Sequence, residues 1–187
     1  MKEKQHTYTF DNGYSIREAQ IEDSETIFTA LDENRTYFSK WLYFVPYMKS
    51  VEDEIGFMTA TLAQPYESRD IVFMIEKGKE FCGLIGFVNT NRQSNKTEIG
   101  YWLVPAHQGK GVITRAVTHL TSWAFEEWGM NRVKIQCAEE NTESNRVPQR
   151  LGFVKEGVER DGQLLPSGEY VGLCIYSMLK KDWKQSL

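Results

Sequence analysis

The stretch from Glu98 to Ile113 constrains the fold of this chain more than any other segment. Residues up to Leu103 predict a strand, the tripeptide Gly109-Lys110-Gly111 follows, and an apolar stripe at helical spacing begins at Ile113. Where a strand passes through a glycine loop into a helix, unpaired backbone N–H groups and the positive end of the helix dipole converge. The segment therefore predicts an anion site, to which Lys110 adds charge; the alternative is a plain connection whose glycines serve only the turn.

Two familiar nucleotide loops do not fit this segment. A Walker A loop needs a glycine five residues before Gly109, where Val104 stands, and a Ser or Thr in place of Gly111. A dinucleotide fingerprint needs a third glycine where Thr114 stands. The anion is therefore expected to be bound in some other way than in these two loops.

The rest of the chain predicts a mixed α/β domain. Helices are expected to start at Asp23 or Ser24 and at Ser50, where Asp53 is a capping partner. The whole order is β-αα-βββ-α-β-α-ββ, with at least one right-handed crossover through the long helix that follows Gly111. The remaining expected elements are a hairpin or a bulged first strand at 8–16, strands at 71–75, 81–88, 97–103 and 132–138, a short helix within 142–151, and strands at 153–159 and 170–179 whose turn holds Gly162 and Gly168.

Length and composition narrow the class of protein. The 187 residues fit one domain, 1–187, and no apolar run approaches the ~20 residues of a membrane span. Residues 1–6 are polar with no apolar signal core behind them, so a cytoplasmic location is expected. The net charge of −4 argues against general nucleic-acid binding. The histidines lack metal-ligand spacing, and the three cysteines lie in strand-like segments typical of buried thiols, so no metal is expected.

Two blocks together carry a family resemblance. Gln108-Gly109-Lys110-Gly111 after a strand resembles the acetyl-coenzyme A loop of the GNAT N-acetyltransferase superfamily, although Ile113 replaces the last small residue of that pattern. The segment from Asn141 to Phe153 resembles the family's Asn-x-x-Ser…Gly-Phe block. With Glu-Ile-Gly-Tyr-Trp before the loop, the chain looks most similar to the ribosomal-protein-serine (RimL-like) branch. The resemblance implies a GNAT fold, with a mixed, mostly antiparallel sheet flanked by helices, and acetyl transfer from acetyl-CoA to an amine.

The resemblance also implies roles for individual residues on the cofactor side. Backbone groups of Leu103 and Val104 would bind the pantetheine arm in a gap between two splayed strands. Asn141 and Asn145 would reach the far side of the cofactor, and Asn141 fits equally well as a helix N-cap. The pyrophosphate would be held by the N–H groups of Gln108, Gly109, Lys110, Gly111, Val112 and Ile113.

Catalysis by such an enzyme needs a base for the amine, a donor for the oxyanion and a proton for the departing sulfur. By resemblance, the N–H of Val104 is the oxyanion donor. Glu98 is the base or orients a water; its alternative is a solvent-facing strand carboxylate. Ser144 gives the proton to the sulfur; its alternative is a helix-cap hydroxyl.

Pro148 departs from the family pattern, because many members carry a tyrosine acid at that position. Proline has no proton to give, and inside a helix it would leave the carbonyl of Ser144 without its N–H partner. This favours Ser144, or a water that it holds, as the acid. Tyr170 and Tyr176 on the last strand remain alternatives.

The acceptor side is marked by aromatic residues between the first two predicted helices. They either pack in the core and a dimer contact or form a wall of the amine pocket. An α-amine, with a pKa near ~7.7–8.0, is partly neutral at pH 7, whereas a lysine amine near ~10.4 is almost all charged. A protein N-terminus is therefore the expected acceptor; a polyamine, an amino sugar and a non-catalytic acyl-CoA sensor are the alternatives, and a homodimer is possible. The aromatic residues are Tyr37, Phe38, Trp41, Tyr43, Phe44 and Tyr47.

Overall fold

An eight-stranded sheet forms the centre of the computed structural model, which describes residues 7–66 and 69–183. The spatial order is β1-β2-β3-β4-β5-β6-β8-β7, and every pairing is antiparallel except that of β5 with β6. The expected mixed, mostly antiparallel sheet is confirmed. The strands are β1 (Thr7–Thr9), β2 (Tyr14–Glu18), β3 (Ile71–Lys77), β4 (Glu80–Asn91), β5 (Lys96–Leu103), β6 (Arg132–Ala138), β7 (Val154–Leu164) and β8 (Tyr170–Leu179).

Helices flank both faces of this sheet. They are α1 (Ser24–Glu33), α2 (Arg35–Phe38), α3 (Val51–Leu62), α4 (Val112–Glu126) and α5 (Thr142–Arg150). The start of α3 confirms the predicted cap, because the Asp53 N–H donates to Ser50 Oγ at 3.4 Å and the Ser50 N–H donates to the Asp53 carboxylate at 3.0 Å. Such a reciprocal pair satisfies two backbone donors that the helix itself cannot.

Side chains alternate between two apolar layers along each central strand. The stripe of α4 that the sequence predicts is buried except at Ile113, which is partly buried; its other members, Ala116, Val117, Leu120 and Ala124, are each no more than 1% exposed. This layer contains Ile99 of β5 and Val133 of β6. A second cluster, with Ile27 of α1 and Met58 of α3, covers the opposite face. The sheet therefore holds β5 between two helical layers, with its successive side chains facing one and then the other.

Three element predictions need correction. The short helix α2 is an addition to the two helices expected after the first hairpin, and β4 continues to Asn91, into the predicted polar loop. Strand β7 runs to Leu164, so Gly162 lies inside a strand and not in the turn. The register of β7 on β8 shifts between Glu159 and Gln163, and the irregular pairing carries the strand past Gly162.

No helix among the described residues is long and apolar enough to cross a membrane. The polar residues 1–6, from which the sequence argument about a signal segment was made, lie outside the described part of the chain. All three cysteines are buried, in strands β4, β6 and β8, as their sequence context predicts.

Candidate active site

The two parallel strands at the centre of the sheet separate soon after they meet. Strand β5 pairs with β6 only at Lys96, Thr97 and Glu98, although β5 continues to Leu103 and β6 to Ala138. Beyond Glu98, no strand in the described part of the chain pairs with the facing edges of β5 and β6, so a gap opens between them. This is the splay that the family resemblance implies.

The pairing of β5 with β4 decides which backbone groups face that gap. The N–H of Val104 donates to the carbonyl of Cys82 at 2.8 Å, so Val104 directs its N–H at β4. Because backbone groups alternate sides along a strand, those of Tyr101 and Leu103 face the gap instead. The expectation that the Val104 N–H is an oxyanion donor is therefore wrong, since the sheet already uses that proton, and Leu103 keeps its place at the edge of the gap.

The glycine loop beyond the gap has the geometry that its sequence predicts. Gly109 and Gly111 have φ of +72° and +71°, a left-handed conformation that glycine adopts without steric cost. Helix α4 starts directly after Gly111, and this N-cap glycine has no side chain that could accept from the first N–H groups of the helix. The ammonium of Lys110 donates to the carbonyl of Ala106 at 2.7 Å and is thereby turned back along the chain. The loop therefore offers the backbone N–H of Lys110 to a bound anion, and the ammonium group points elsewhere.

The guanidinium of Arg115 lies beside the glycine loop, although Arg115 is not among the residues that line the cleft described below. One guanidinium nitrogen donates to the Lys110 carbonyl at 2.9 Å, and another lies 3.3 Å from where a Cβ on Gly111 would be. Sequence reasoning missed this residue. A cation in the first turn of a helix interacts unfavourably with the helix dipole. The position of Arg115 in the sequence, just after the glycine loop, could therefore have indicated an anion bound there.

An open cleft of ≈ 200 Å³ joins the gap, the glycine loop and the aromatic segment. Among the predicted site residues, eight line this cleft and four do not. Those absent from the lining are Glu98, Val104, Lys110 and Asn145. The residues that line it are Tyr37, Phe38, Trp41, Leu42, Tyr101, Trp102, Leu103, His107, Gln108, Gly109, Gly111, Val112, Ile113, Thr114, Asn141, Glu143, Ser144, Val147 and Arg150.

The hydroxyl of Ser144 lies on the cleft wall within a small hydrogen-bonded cluster. It donates to the phenol oxygen of Tyr101 at 3.2 Å, and its Oγ is 3.2 Å from the sulfur of Cys137. Burial raises the pKa of Tyr101 well above its ordinary value and that of the Cys137 thiol to about 11, so both groups keep their protons at neutral pH. Ser144 is not the helix cap; Asn141 is, because its side chain accepts from the Ser144 N–H at 3.2 Å.

Pro148 has the effect on α5 that its chemistry predicts. It lies inside the helix and has no N–H to offer the carbonyl of Ser144. The phenol of Tyr101 donates to that carbonyl at 3.0 Å instead. Tyr101 is thus a site residue that sequence reasoning missed, because its partner lies 43 positions along the chain.

The second asparagine of the block, Asn145, is a structural residue in this fold. Its amide nitrogen donates to the carbonyls of Ala138 and Asn141, both at 2.8 Å, and its oxygen accepts from the Tyr176 hydroxyl at 2.9 Å. These bonds use both amide protons and one acceptor site of a buried side chain that does not line the cleft, which corrects the expectation that Asn145 reaches a cofactor. Tyr176 is 1% exposed, and its hydroxyl donates to Asn145. Tyr170, also on β8, is 61% exposed, and neither tyrosine lines the cleft.

Glu98 lies at the last paired position before the strands separate. Its carboxylate is buried, 2.9 Å from the ammonium of Lys134 and 3.4 Å from the amide nitrogen of Asn89. The solvent-facing alternative is therefore excluded. Its role as a base stays a prediction, with Lys134 as a partner that the sequence did not reveal.

The aromatic segment divides between the cleft and the surface. Tyr37, Phe38 and Trp41 line the cleft, and Tyr37 accepts a hydrogen bond from the Gln108 amide. Tyr43 and Tyr47 are 58% and 73% exposed. Within residues 7–66 and 69–183, no group of three or more His, Cys, Asp or Glu side chains is placed to hold a metal ion.

Comparison with known proteins decides the family. Residues 15–154 match the model of the acetyltransferase (GNAT) domain. The chain belongs to the GNAT acetyltransferase family. This GNAT enzyme is 34% identical over 174 residues to YdaF of Bacillus subtilis, named as a candidate ribosomal N-acetyltransferase, a match that covers 91% of the chain and 93% of the relative.

A further curated relative carries the name of the RimL-like branch, and a solved structure shares the fold. The ribosomal-protein-serine acetyltransferase of Escherichia coli is 29% identical over 153 residues, with 82% of this chain and 85% of that protein covered. A solved structure of RimL, a ribosomal L7/L12 α-N-protein acetyltransferase in complex with coenzyme A, superposes with a TM-score of 0.86 at 20% identity and covers 93% of this chain and 98% of that one. The latter comparison shows the same fold.

Proposed function

We propose that this GNAT enzyme transfers acetyl from acetyl-CoA to the α-amine of a protein N-terminus. The observation that carries the proposal is the gap between β5 and β6, whose edge leads directly to the Gly109–Gly111 loop. An extended arm that ends in an anion fits such a path, because backbone groups line the arm and uncapped helix N–H groups meet the anion. The names of the relatives support a ribosomal-protein acceptor.

The backbone of this chain offers groups for each part of acetyl-CoA. Backbone groups of Tyr101 and Leu103 would pair with the pantetheine arm, and the N–H groups of the loop and the first turn of α4 would hold the pyrophosphate, with Arg115 beside them. When bound, acetyl-CoA supplies the acetyl thioester. Asn141 caps α5 and also lines the cleft, so it would serve both roles that the sequence left open.

Two side chains are proposed for the proton transfers. Ser144 has its hydroxyl on the cleft wall and would protonate the departing sulfur. Glu98 would accept the proton of the amine, through a water because its carboxylate is paired with Lys134 and lies outside the cleft lining. Each residue keeps its partner within hydrogen-bond reach, so each starts in a fixed position.

The charge of the cleft favours an α-amine over a polyamine. Glu143 is the only acidic residue among those that line the described cleft, which also holds His107 and Arg150. A polycation needs several converging carboxylates, which this lining does not offer. Tyr37, Phe38 and Trp41 offer instead an apolar wall against which the first residues of a peptide can pack.

The test is an acceptor screen by coenzyme A release. The panel comprises peptides beginning with serine or alanine, the same peptides with a blocked N-terminus and an internal lysine, spermidine and glucosamine. We expect turnover with the free N-termini and loss of it when they are blocked. Preference for spermidine or glucosamine would overturn the acceptor proposal. Binding of acetyl-CoA with no release for any acceptor would favour the sensor alternative. The cytoplasmic location and the homodimer stay predictions.

A further inference from the structure

We propose that Tyr101 is the positioning residue for the proton donor: its phenol replaces the helix bond that Pro148 removes, and so becomes a fixed acceptor for the Ser144 hydroxyl. This inference rests on the proposed function and adds to it a residue that holds the acid in place. The groups involved are the side chains of Tyr101, Ser144 and Cys137 and the backbone carbonyl of Ser144.

The direction of each hydrogen bond follows from counting protons. Tyr101 has one hydroxyl proton, and it goes to the Ser144 carbonyl at 3.0 Å. The Tyr101 oxygen can then only accept, and it accepts from Ser144 Oγ at 3.2 Å. The remaining contact, 3.2 Å between Cys137 Sγ and Ser144 Oγ, must therefore have the thiol as donor. The chain of bonds runs one way, from Cys137 through Ser144 and Tyr101 to the carbonyl.

Pro148 determines the direction of the hydrogen bond between the hydroxyls of Ser144 and Tyr101. In a helix with an ordinary residue at position 148, the N–H of that residue would satisfy the Ser144 carbonyl. Tyr101 would then be free to donate to Ser144 Oγ, and the bond between the two hydroxyls could reverse. With proline there, the carbonyl of the partly buried Ser144 lacks its helical donor, and the Tyr101 hydroxyl donates to it.

The consequence concerns a single proton. The Ser144 hydroxyl can rest on the Tyr101 oxygen or swing into the cleft, and in the second position it reaches a departing sulfur. When the Oγ–H bond breaks and an S–H bond forms, the electron pair stays on Oγ. Water in the open cleft then returns a proton to Oγ, and Glu98 releases to solvent the proton that it took from the amine, so the step balances. Tyr101 touches the proton donor and acts through it.

A double-mutant cycle separates positioning from simple structural support. The proteins are wild type, Tyr101→Phe, Pro148→Ala and the double variant, each measured for Tm and for kcat and KM with the serine peptide. Tyr101→Phe should lower Tm and reduce kcat roughly ten-fold, with KM for acetyl-CoA within about two-fold. Pro148→Ala returns an N–H to the Ser144 carbonyl. In the double variant we therefore expect Tm to recover while kcat stays low. Recovery of both would reduce Tyr101 to a structural residue.

The matched control is Tyr176→Phe, which removes another buried phenol bonded to α5 but none that lines the cleft. It should lower Tm and leave kcat within about two-fold of wild type. An equal loss of kcat in Tyr176→Phe, or wild-type kcat in Tyr101→Phe, would overturn the inference. If spermidine or glucosamine is the true acceptor, the proposed acceptor fails but the cycle is run unchanged on that amine. If nothing releases coenzyme A, both proposals fail.

Discussion

The two faces of strand β5 have different partners. On one face Tyr101 reaches across to α5 and meets the Ser144 hydroxyl and carbonyl. On the other face Glu98 pairs with Lys134, and Trp102 packs against Phe38 at 4.8 Å between ring centroids. One strand thus separates the group proposed to protonate the sulfur from the group proposed to deprotonate the amine. Under the proposed mechanism, the two protons would therefore be transferred on opposite sides of a single strand.

The faces also differ in how they are built. The cofactor side depends on backbone geometry, namely two left-handed glycines, an uncapped helix and an unpaired strand edge. The acceptor side depends on side chains that meet from α2, β5 and the loop before α4, such as Tyr37 and Gln108. Substitutions on the first side should therefore change binding of acetyl-CoA, and substitutions on the second should change the response to the amine.

The largest effect is expected from Gly111→Glu. Acetyl-CoA at ~100 times its dissociation constant should add about 2.7 kcal/mol of stability to wild type, seen as a higher Tm. A glutamate at φ +71° adds strain, bulk beside Arg115 and negative charge at the anion site, so this Tm shift should vanish. Gly129→Glu is the control, because it has the same φ of +71° at the far end of α4. An unchanged Tm shift with acetyl-CoA in Gly111→Glu would show that the loop is not part of the cofactor site.

Glu98→Gln tests the acceptor face. It should lower kcat by about 10²-fold near neutral pH while acetyl-CoA affinity stays unchanged, because a base acts on the amine alone. The control is Glu156→Gln. Glu156 lies on β7 and forms an ion pair with Arg132 of β6, and its neutralisation should leave the rate near that of wild type. Full activity of Glu98→Gln between pH 6 and 8 would contradict the proposed role of Glu98 as a base and leave it only a structural role as the ion-pair partner of Lys134.

Ser144→Ala tests the cofactor face and should cost less, roughly ten-fold in kcat, because a thiolate leaves with less help than most groups that acids protonate. The KM for acetyl-CoA should stay within a few-fold. Since Asn141 and not Ser144 caps α5, the Tm should change little. A loss of Tm large enough to explain the rate would assign Ser144 to structure instead.

The smallest effect is expected from Arg115→Gln. Removing one cation beside the loop should raise the KM for acetyl-CoA roughly five-fold without changing kcat. Added salt should shrink the difference, because exposed charges are screened. Arg115→Lys should keep part of the affinity. An unchanged KM at low salt would show that the backbone N–H groups hold the anion alone.

Features that depend on local backbone chemistry could be predicted from the sequence. The Ser50–Asp53 cap, the buried stripe of α4 and the carbonyl left open by Pro148 all involve residues within a few positions of each other. The bond from Tyr101 to Ser144 could not be predicted, since it joins two elements that meet only in the folded chain.

The error at Val104 has a different origin. Which backbone groups face the gap depends on the register of β5 against β4, and a shift of one residue reverses every N–H. Asn145 illustrates the same limit for side chains. Its sequence spacing matches the family block, yet the carbonyls of the loop before α5 and the hydroxyl of Tyr176 occupy it.

The claim that the two faces of β5 handle different protons is tested most directly by changing the leaving group. The selenium analogue of acetyl-CoA releases a more acidic selenol, which needs less protonation. Rates with both donors are measured for wild type, Ser144→Ala and Glu98→Gln. We expect the analogue to accelerate Ser144→Ala more than wild type, and Glu98→Gln by no more than wild type. Equal acceleration of all three proteins would contradict the account, because the proton of the leaving group would then come from neither face.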